Sequence, residues 1–234
     1  MCKLIAGLAD TQQGTMYGRI KVNGHVFSGS LLEHGICAFV AQQTVLSPHL
    51  SVYESLIMTA RLYQPFESPI ELDRRVSELM GFLGLLDVKD RRLSNDANNR
   101  GVSGGQARRI NLAEGILSGA KLIILDEPTT GLSATDARNV FEVLYKLAKE
   151  RNFAIMMIIH QPRESLFKRL DRATIIHQGM CVYSGPPSSV RQWLDSGGAS
   201  APPPVHKPKK KVERSPRGTR VGSLLSHYPI GGID

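Results

Sequence analysis

The sequence contains little cysteine and no long apolar run, and both absences narrow the class of protein. Its 234 residues include three cysteines, Cys2, Cys37 and Cys181, which lie far apart and form no CxxC pair. This spacing argues against a disulfide framework or a zinc site and fits a reducing compartment. The longest apolar runs fall well short of the about 18 residues that a membrane-spanning helix needs. A secretion signal is not expected either, because no basic stretch followed by an apolar one opens the sequence.

Acidic residues are scarce in the last 34 residues of the chain. Residues 201–234 contain seven lysines and arginines but two acidic residues, whereas the preceding 200 residues have a net charge of +3. Because the tail is also rich in proline and serine, we expect residues 199–234 to be disordered and solvated. The alternative is contact with anionic lipid or nucleic acid. A specific nucleic-acid partner is not expected.

Apolar and amphipathic segments alternate along residues 1–198, which predicts an α/β domain with a mostly parallel sheet covered on both faces. Leu4, Ile5 and Leu8 have helical spacing, so a helix is expected at the first residues. Asn23-Gly24 between two short apolar runs predicts a hairpin. The predicted strands are ICAFVAQ, KLIILDE, FAIMMIIH, ATIIHQG and MCVYSG. One apolar helical stripe is predicted for Ala137, Val140, Phe141, Leu144 and Leu147.

A predominantly helical insert over residues 51–117 separates the predicted strands. Ser51 stands three residues before Glu54, which predicts a capping box at the start of one helix. Ser68 and Ser77 both precede acidic residues, and either is a candidate cap for the next helix. We therefore expect a helical subdomain inserted into the sheet domain.

Two carboxylates follow an apolar strand in the segment LIILDE. Asp126 and Glu127 would lie at the C-terminal edge of a buried strand, where ligands bind in open α/β sheets. The first can support the Mg²⁺ of a nucleotide, and the second can orient or deprotonate an attacking water. Taken alone, the short pattern also fits an acidic turn after a core strand.

A glycine pair opens a predicted helix in the segment VSGGQ. Ser103 can cap this helix, while Gly104 and Gly105 allow a phosphate to approach the backbone N–H groups. The helix N-terminus adds a partial positive charge at that place. Taken alone, the motif also fits an ordinary capped helix.

In their order and spacing, these motifs resemble the nucleotide-binding domain of ABC transporters over roughly residues 1–195. VSGGQ resembles the family's signature motif and LIILDE its Walker B strand. FVAQQ is similar to the Q-loop, with Gln42 as the family's glutamine, and IIHQPR is similar to the switch region, with His160 as its histidine. A single histidine after an apolar strand is usually structural, so this assignment depends on the order of the motifs. VSGGQARR, LDEPTTGL and IHQPR are most similar to subfamily G.

The resemblance implies a P-loop-NTPase-like ATPase that works as a pair of cassettes, with ATP and Mg²⁺ as cofactors. Gln42 and Asp126 would support Mg²⁺, Glu127 would act on water, and His160 would touch the γ-phosphate. A transmembrane domain would come from another chain or from further sequence, which places the cassette at the cytosolic face of a membrane. The residues expected to contact the partner's nucleotide are Ser103, Gly104, Gly105 and Gln106.

Three features depart from the family pattern. The phosphate-binding motif GxxxxGK[ST] does not occur among the 234 residues, and an alignment on Lys3 would put that motif and its strand before Met1. Loss of this strand would expose the ladder groups of its neighbours, so we expect the isolated chain to be marginally stable. Ser133 stands where the family has the aspartate of its D-loop, although it can cap the next helix together with Asp136. The basic tail stands where subfamily G has membrane helices.

The sequence thus predicts an ATP-hydrolysing cassette of subfamily G that drives transport across a membrane. Without a phosphate loop, the 234 residues alone are expected to bind ATP–Mg²⁺ weakly or not at all. One alternative is an inactive fragment or interaction module that docks its signature face onto a complete partner. Another is a soluble ABC protein without a transport role.

Overall fold

A computed structural model describes residues 2–8, 18–27, 29–43, 46–94, 101–160, 162–178 and 180–197. The chain divides into two units, Met1–Phe167 and Lys168–Asp234. The predicted tail, residues 199–234, lies outside the described residues. No helix in the described ranges combines the length and the apolar character needed to cross a membrane.

Helix α1 (Cys2–Ala6) is present where the sequence predicts it, but it buries a different face. Cys2 and Ala6 are buried, whereas Leu4 and Leu8 are 39% and 45% exposed. The two small side chains let the helix pack closely onto a cluster that contains Leu31, Cys37 and Ile124. The spacing of the apolar residues predicts that a helix forms here. Which face of the helix is buried depends on the size of its side chains.

An antiparallel hairpin follows, as the Asn-Gly pair predicts. Its strands are β1 (Ile20–Val22) and β2 (His25–Phe27). Asn23 and Gly24 join them with φ values of 51° and 86°. Positive φ at both central residues is the backbone conformation that a two-residue hairpin turn favours.

A parallel three-stranded sheet forms the centre of the first unit. Strands β3 (Cys37–Val40), β4 (Leu122–Asp126) and β5 (Ala154–Ile158) lie in the order β3-β4-β5. Ile123 and Ile124 are fully buried, as expected for the middle strand of a covered parallel sheet. All three strands run in one direction, so their carboxyl ends share one edge of the sheet.

Strand β5 is only partly buried although its sequence AIMMI is apolar. Within the described ranges it pairs with β4 and with no other strand. An apolar strand with one unpaired backbone edge leaves both ladder groups and side chains accessible to a further strand. The apolar side chains of β5 therefore remain partly exposed within the described ranges.

The predicted helical insert contains three α-helices, α2 (Val52–Tyr63), α3 (Pro69–Leu83) and α4 (Gly104–Leu117). A short 3₁₀ turn, Leu86–Val88, follows α3. The three helices share one apolar core because each presents a stripe of buried residues to the others. That core includes Val52, Leu56, Ala60, Leu72, Val76, Met80, Leu83, Ile110 and Leu112.

Serine caps begin all three helices of the insert. Ser51 accepts a hydrogen bond from the Glu54 N–H and forms the predicted capping box. Ser68 caps α3 by accepting a hydrogen bond from the Glu71 N–H, and Ser103 caps α4. The alternative cap, Ser77, is wrong because this residue lies inside α3.

Helix α5 (Ala134–Glu150) connects β4 to β5 and covers the sheet. It begins at Ser133, whose hydroxyl accepts a hydrogen bond from the Asp136 N–H at 3.1 Å. The predicted apolar stripe is confirmed, since four of its members are buried and Ala137 is partly buried. A short helix, α6 (Glu164–Phe167), ends the first unit. The buried members of the stripe are Val140, Phe141, Leu144 and Leu147.

The second unit contains a predicted pair of strands, β6 (Ala173–His177) and β7 (Met180–Gly185), which are antiparallel. Helix α7 (Val190–Asp195) follows them. The rings of Tyr183 and Trp193 lie 5.4 Å apart and connect the hairpin to this helix. The three cysteines, Cys2, Cys37 and Cys181, are free thiols in the structure.

Glu114 is a carboxylic acid within the apolar helical insert, and it sets a pH dependence of stability. Its Oε1 accepts a hydrogen bond from the Ser55 hydroxyl at 3.0 Å. Burial raises the pKa of Glu114, and the Ser55 hydrogen bond acts in the opposite direction. Because the folded state binds this proton more tightly than the unfolded state, the free energy of unfolding falls as the pH rises through the folded pKa.

We therefore expect Glu114→Gln to raise the melting temperature at pH 8, by about 2–4 °C for each kcal/mol gained. Glutamine keeps an acceptor oxygen for Ser55 but carries no charge. The gain should shrink as the pH is lowered toward the ordinary glutamate value of about 4.3. Calorimetry at several pH values measures it, with the exposed Glu150→Gln as control. A gain that grows at low pH would contradict the assignment.

Candidate active site

The polar residues predicted from the motifs follow the carboxyl ends of the three parallel strands. Gln42 comes after β3, Asp126 ends β4 and is followed by Glu127, and His160 comes after β5. Because the strands are parallel neighbours, these ends meet at one edge of the sheet. This is the edge at which open α/β sheets bind their ligands.

The Glu127 carboxylate is the centre of the site. Gln42 Nε2 donates a hydrogen bond to Glu127 Oε2 at 2.7 Å. His160 Nε2 lies 2.7 Å from Glu127 Oε1. The Glu127 side chain is 17% exposed, whereas that of His160 is 71% exposed. The carboxylate is therefore held between two polar side chains, Gln42 and His160, both of which are exposed and accessible to a ligand.

The backbone at Glu127 also departs from the usual conformation. Its φ of 49° lies in the left-handed region, which is uncommon for residues other than glycine. The chain turns here directly after β4, and the Thr130 N–H donates to the Glu127 carbonyl at 3.3 Å. Such backbone conformations occur preferentially at functional sites, where the surroundings hold them in place.

Arg108 is a site residue that sequence reasoning missed. Its side chain is 4% exposed, although it carries a charge. Burial lowers the pKa of Arg108, while the negative charge of Asp126 acts in the opposite direction. A signal existed in the sequence, because Arg108 falls three residues after Gly105 and four before Leu112, on the buried face of α4.

The guanidinium group of Arg108 contacts backbone carbonyls at the ends of two strands. Nη1 donates to the Ala41 carbonyl at 2.5 Å and Nη2 to the Gln42 carbonyl at 2.6 Å. Nη2 also lies 3.5 Å from the Glu127 carbonyl. One side chain of the signature helix thus reaches both segments that carry the polar residues of the site.

The signature residues form the N-terminus of helix α4, and two of them are exposed. The Ser103 N–H donates to Gln106 Oε1 at 2.8 Å, and the Gln106 N–H donates to Ser103 Oγ at 3.2 Å. Gln106 therefore completes a capping box, which its position three residues after Ser103 allows. Ser103 and Gly104 are exposed, whereas Gly105 is buried.

A close approach of α5 explains the second glycine of the pair. A Cβ atom on Gly105 would lie 2.4 Å from Asp136 Oδ1, whereas one on Gly104 would lie 3.4 Å from Leu132 Cδ2. Ser133 Oγ donates to Asp136 Oδ2 at 2.8 Å and holds the carboxylate in this position. Packing therefore requires glycine at position 105, in addition to the phosphate approach expected from the sequence.

A groove of about 460 Å³ connects the two sets of predicted residues. Gln42 and Arg108 line one part of it, and Gly104 lines another. The segment after Glu127 contributes Thr130, Gly131 and Leu132. The start of the signature helix and the Q-loop glutamine of the same chain therefore face a common space.

Comparison with known proteins agrees with this arrangement. Residues 1–130 match the ABC transporter family. The chain is 34% identical over 215 residues to ABC transporter G family member 17 of Arabidopsis thaliana, covering 89% of this chain and 32% of that protein. It is 36% identical over 185 residues to ABC transporter G family member 5 of rice, with 78% and 23% coverage. A probable ATP-dependent permease of Saccharomyces cerevisiae is 35% identical over 190 residues, with 81% and 18% coverage.

The chain belongs to the ABC transporter family. Within it, the similar proteins identify this chain as a nucleotide-binding domain of subfamily G, with ATPase activity implied by that resemblance. It spans between 18% and 32% of the length of the relatives named above. The fold predicted from the motifs, an α/β ATPase domain, is confirmed.

The donor atoms at the sheet edge fit Mg²⁺ with a nucleotide. Gln42 uses its amide nitrogen on Glu127, which leaves its amide oxygen for a cation, and Asp126 supplies a carboxylate. No group of three or more His, Cys, Asp or Glu side chains in the described ranges could hold a metal by itself. Mg²⁺ commonly binds through one or two protein oxygens plus substrate phosphates, so a sparse donor set is the expected one.

Proposed function

We propose that this chain is one half of a two-cassette ATPase that couples ATP hydrolysis at the cassette interface to transport across a membrane. The observation that carries the proposal is the convergence of Gln42, Glu127 and His160, held by contacts of 2.7 Å at the C-terminal sheet edge. Phosphoryl transfer depends mainly on positioning and electrostatics, which a cluster of this kind supplies.

Each residue of the cluster has a distinct task in this proposal. Glu127 orients the attacking water and accepts its proton, because its carboxylate is fixed on both oxygens and partly shielded. Gln42 and Asp126 hold Mg²⁺, which when bound neutralises charge on the phosphate oxygens. His160 is exposed and contacts the γ-phosphate.

The signature residues act on the nucleotide of a second cassette. Ser103 and Gly104 are exposed at the N-terminus of α4, a helix of 14 residues. Backbone N–H groups and the helix dipole at such an end favour a phosphate. The cassette works at the cytosolic face of a membrane, with the transmembrane domain in further sequence or in another chain.

A complementation experiment tests this function. A complete subfamily G cassette whose own signature serine is replaced by arginine should be inactive as a homodimer. Addition of this chain should restore ATP hydrolysis by about tenfold or more, because it supplies an intact signature to the partner's nucleotide. Complex formation without restored hydrolysis would contradict the proposal and would indicate an interaction module.

A further inference from the structure

We propose that Arg108 is a positioning residue that couples the signature helix to the Q-loop and to Glu127 within one cassette. Among the described residues that are buried, Arg108 is the one that carries a charge. Burial of a charge is costly unless hydrogen bonds compensate it. Here the compensation comes from backbone carbonyls of two separate segments.

The geometry of these contacts requires two hydrogen-bond donors on one rigid group. Two nitrogens of Arg108 reach two successive carbonyls, those of Ala41 and Gln42, at 2.5 and 2.6 Å. A planar guanidinium group presents paired donors in a fixed arrangement, whereas an ammonium group is a single point. The two contacts therefore fix the orientation of the two successive peptide planes that flank the Gln42 Cα atom.

That orientation decides where the Gln42 side chain points. The Gln42 amide reaches Glu127 Oε2 from a backbone whose carbonyl Arg108 holds. Arg108 also lies near the carbonyl of Glu127, whose left-handed φ needs support from its surroundings. A movement of α4 relative to the sheet would thus shift the glutamine and the glutamate together.

The neighbouring arginine has a different set of contacts and provides a matched control. Arg109 Nη1 donates to the carbonyls of Leu83 and Gly84 at 2.7 and 3.1 Å, at the end of α3. It therefore connects α4 to the end of α3, inside the helical insert. The two consecutive arginines thus connect the same helix to two places, Arg108 to the sheet edge and Arg109 to the end of α3.

Hydrogen exchange of the full chain tests the positioning role without any nucleotide. Arg108→Met should accelerate amide exchange in residues 40–43 and 127–131 by about tenfold, because it removes charged donors to both segments. Arg108→Lys should give an intermediate increase. Arg109→Met should instead accelerate exchange around residues 83–86. Unchanged exchange at residues 40–43 in Arg108→Met, or an equal increase throughout the helical insert, would overturn the inference.

The catalytic consequence rests on the proposed function and is measured separately. In a cassette pair in which the nucleotide bound to this chain is hydrolysed, Arg108→Met should lower kcat by about tenfold with little change in the KM for ATP. Arg108→Lys should recover part of kcat. A rise in KM at constant kcat would overturn the positioning role. If the unsubstituted chain supports no hydrolysis, the proposed function fails, and the exchange pattern still decides the role of Arg108.

Discussion

Ser103→Arg is expected to remove the ATPase activity that this chain restores to a signature-deficient cassette. Ser103 is exposed at the N-terminus of α4, where the proposed function places the partner's γ-phosphate. An arginine there fills the space of the phosphate and replaces a short hydroxyl with a long side chain. Donors aimed at the transferred phosphoryl group typically contribute factors of about 10²–10³ in rate, so the restored activity should fall to background.

The matched control is Ser68→Arg. Ser68 is also an exposed serine that caps a helix by accepting a hydrogen bond from the N–H three residues later. Each substitution removes one cap, which costs about 1 kcal/mol of stability. The two variants should therefore have similar melting temperatures but different effects on the partner's ATP hydrolysis.

Steady-state ATPase rates of the mixed cassettes decide between the possible results. Loss of activity in Ser103→Arg alone supports action of the signature on the partner's nucleotide. Equal loss in both variants would mean that the caps act through stability only. Full activity in Ser103→Arg would show that the signature face does not meet the partner's ATP.

The sequence allowed the main elements of the fold to be predicted, because their signals are local. Ser51, Ser68 and Ser103 cap the helices of the insert, and Asn23-Gly24 forms the hairpin turn. The error at Ser77 has a simple cause. An acidic residue close to a serine is compatible with a helix cap but does not show where a helix begins, and here Pro69 already occupies the first turn of α3.

The burial of β5 could not be predicted in the same way. An apolar run indicates that a strand can be buried on both faces, but it does not show which strands lie beside it. In the structure β5 is partly exposed because, within the described ranges, only β4 pairs with it. Neighbours are set by topology, which the apolar pattern leaves open.

In the candidate site, too, some residues could be predicted from the sequence and others could not. The convergence of Gln42, Glu127 and His160 could be expected, because each follows a strand of one parallel sheet and the order of motifs resembles a known family. Arg108 could not be identified, because its partners are backbone carbonyls distant in sequence. A charge on the buried face of α4 was the available signal, and only the contacts explain it.

Gly105→Ala is expected to destabilise the chain, although the substitution adds a single methyl group. The added Cβ would lie 2.4 Å from Asp136 Oδ1 and 2.8 Å from Asp136 Cβ, so the side chain and the helix that carries it must move. Overpacking of this kind costs about 1–3 kcal/mol. The melting temperature should fall by about 2–4 °C for each kcal/mol lost.

Gly104→Ala provides the control at the adjacent position. Its Cβ would meet Leu132 Cδ2 at 3.4 Å, the end of a side chain that can adjust. Alanine is also a better helix former than glycine, by about 0.5–1 kcal/mol. This variant should therefore be as stable as the unsubstituted chain or slightly more stable.

A double-mutant cycle with Asp136→Gly isolates the contact. Asp136→Gly alone should destabilise, because it removes the carboxylate that Ser133 holds and places glycine in the first turn of α5. In that background the space beside position 105 is open, so Gly105→Ala should change sign and stabilise by up to about 1 kcal/mol, as a glycine-to-alanine change in a helix normally does. Unfolding by urea, followed by circular dichroism, gives the four free energies. An equal loss from Gly105→Ala in both backgrounds would show that Asp136 does not select glycine in the signature motif, which would leave the approach of a phosphate as its reason.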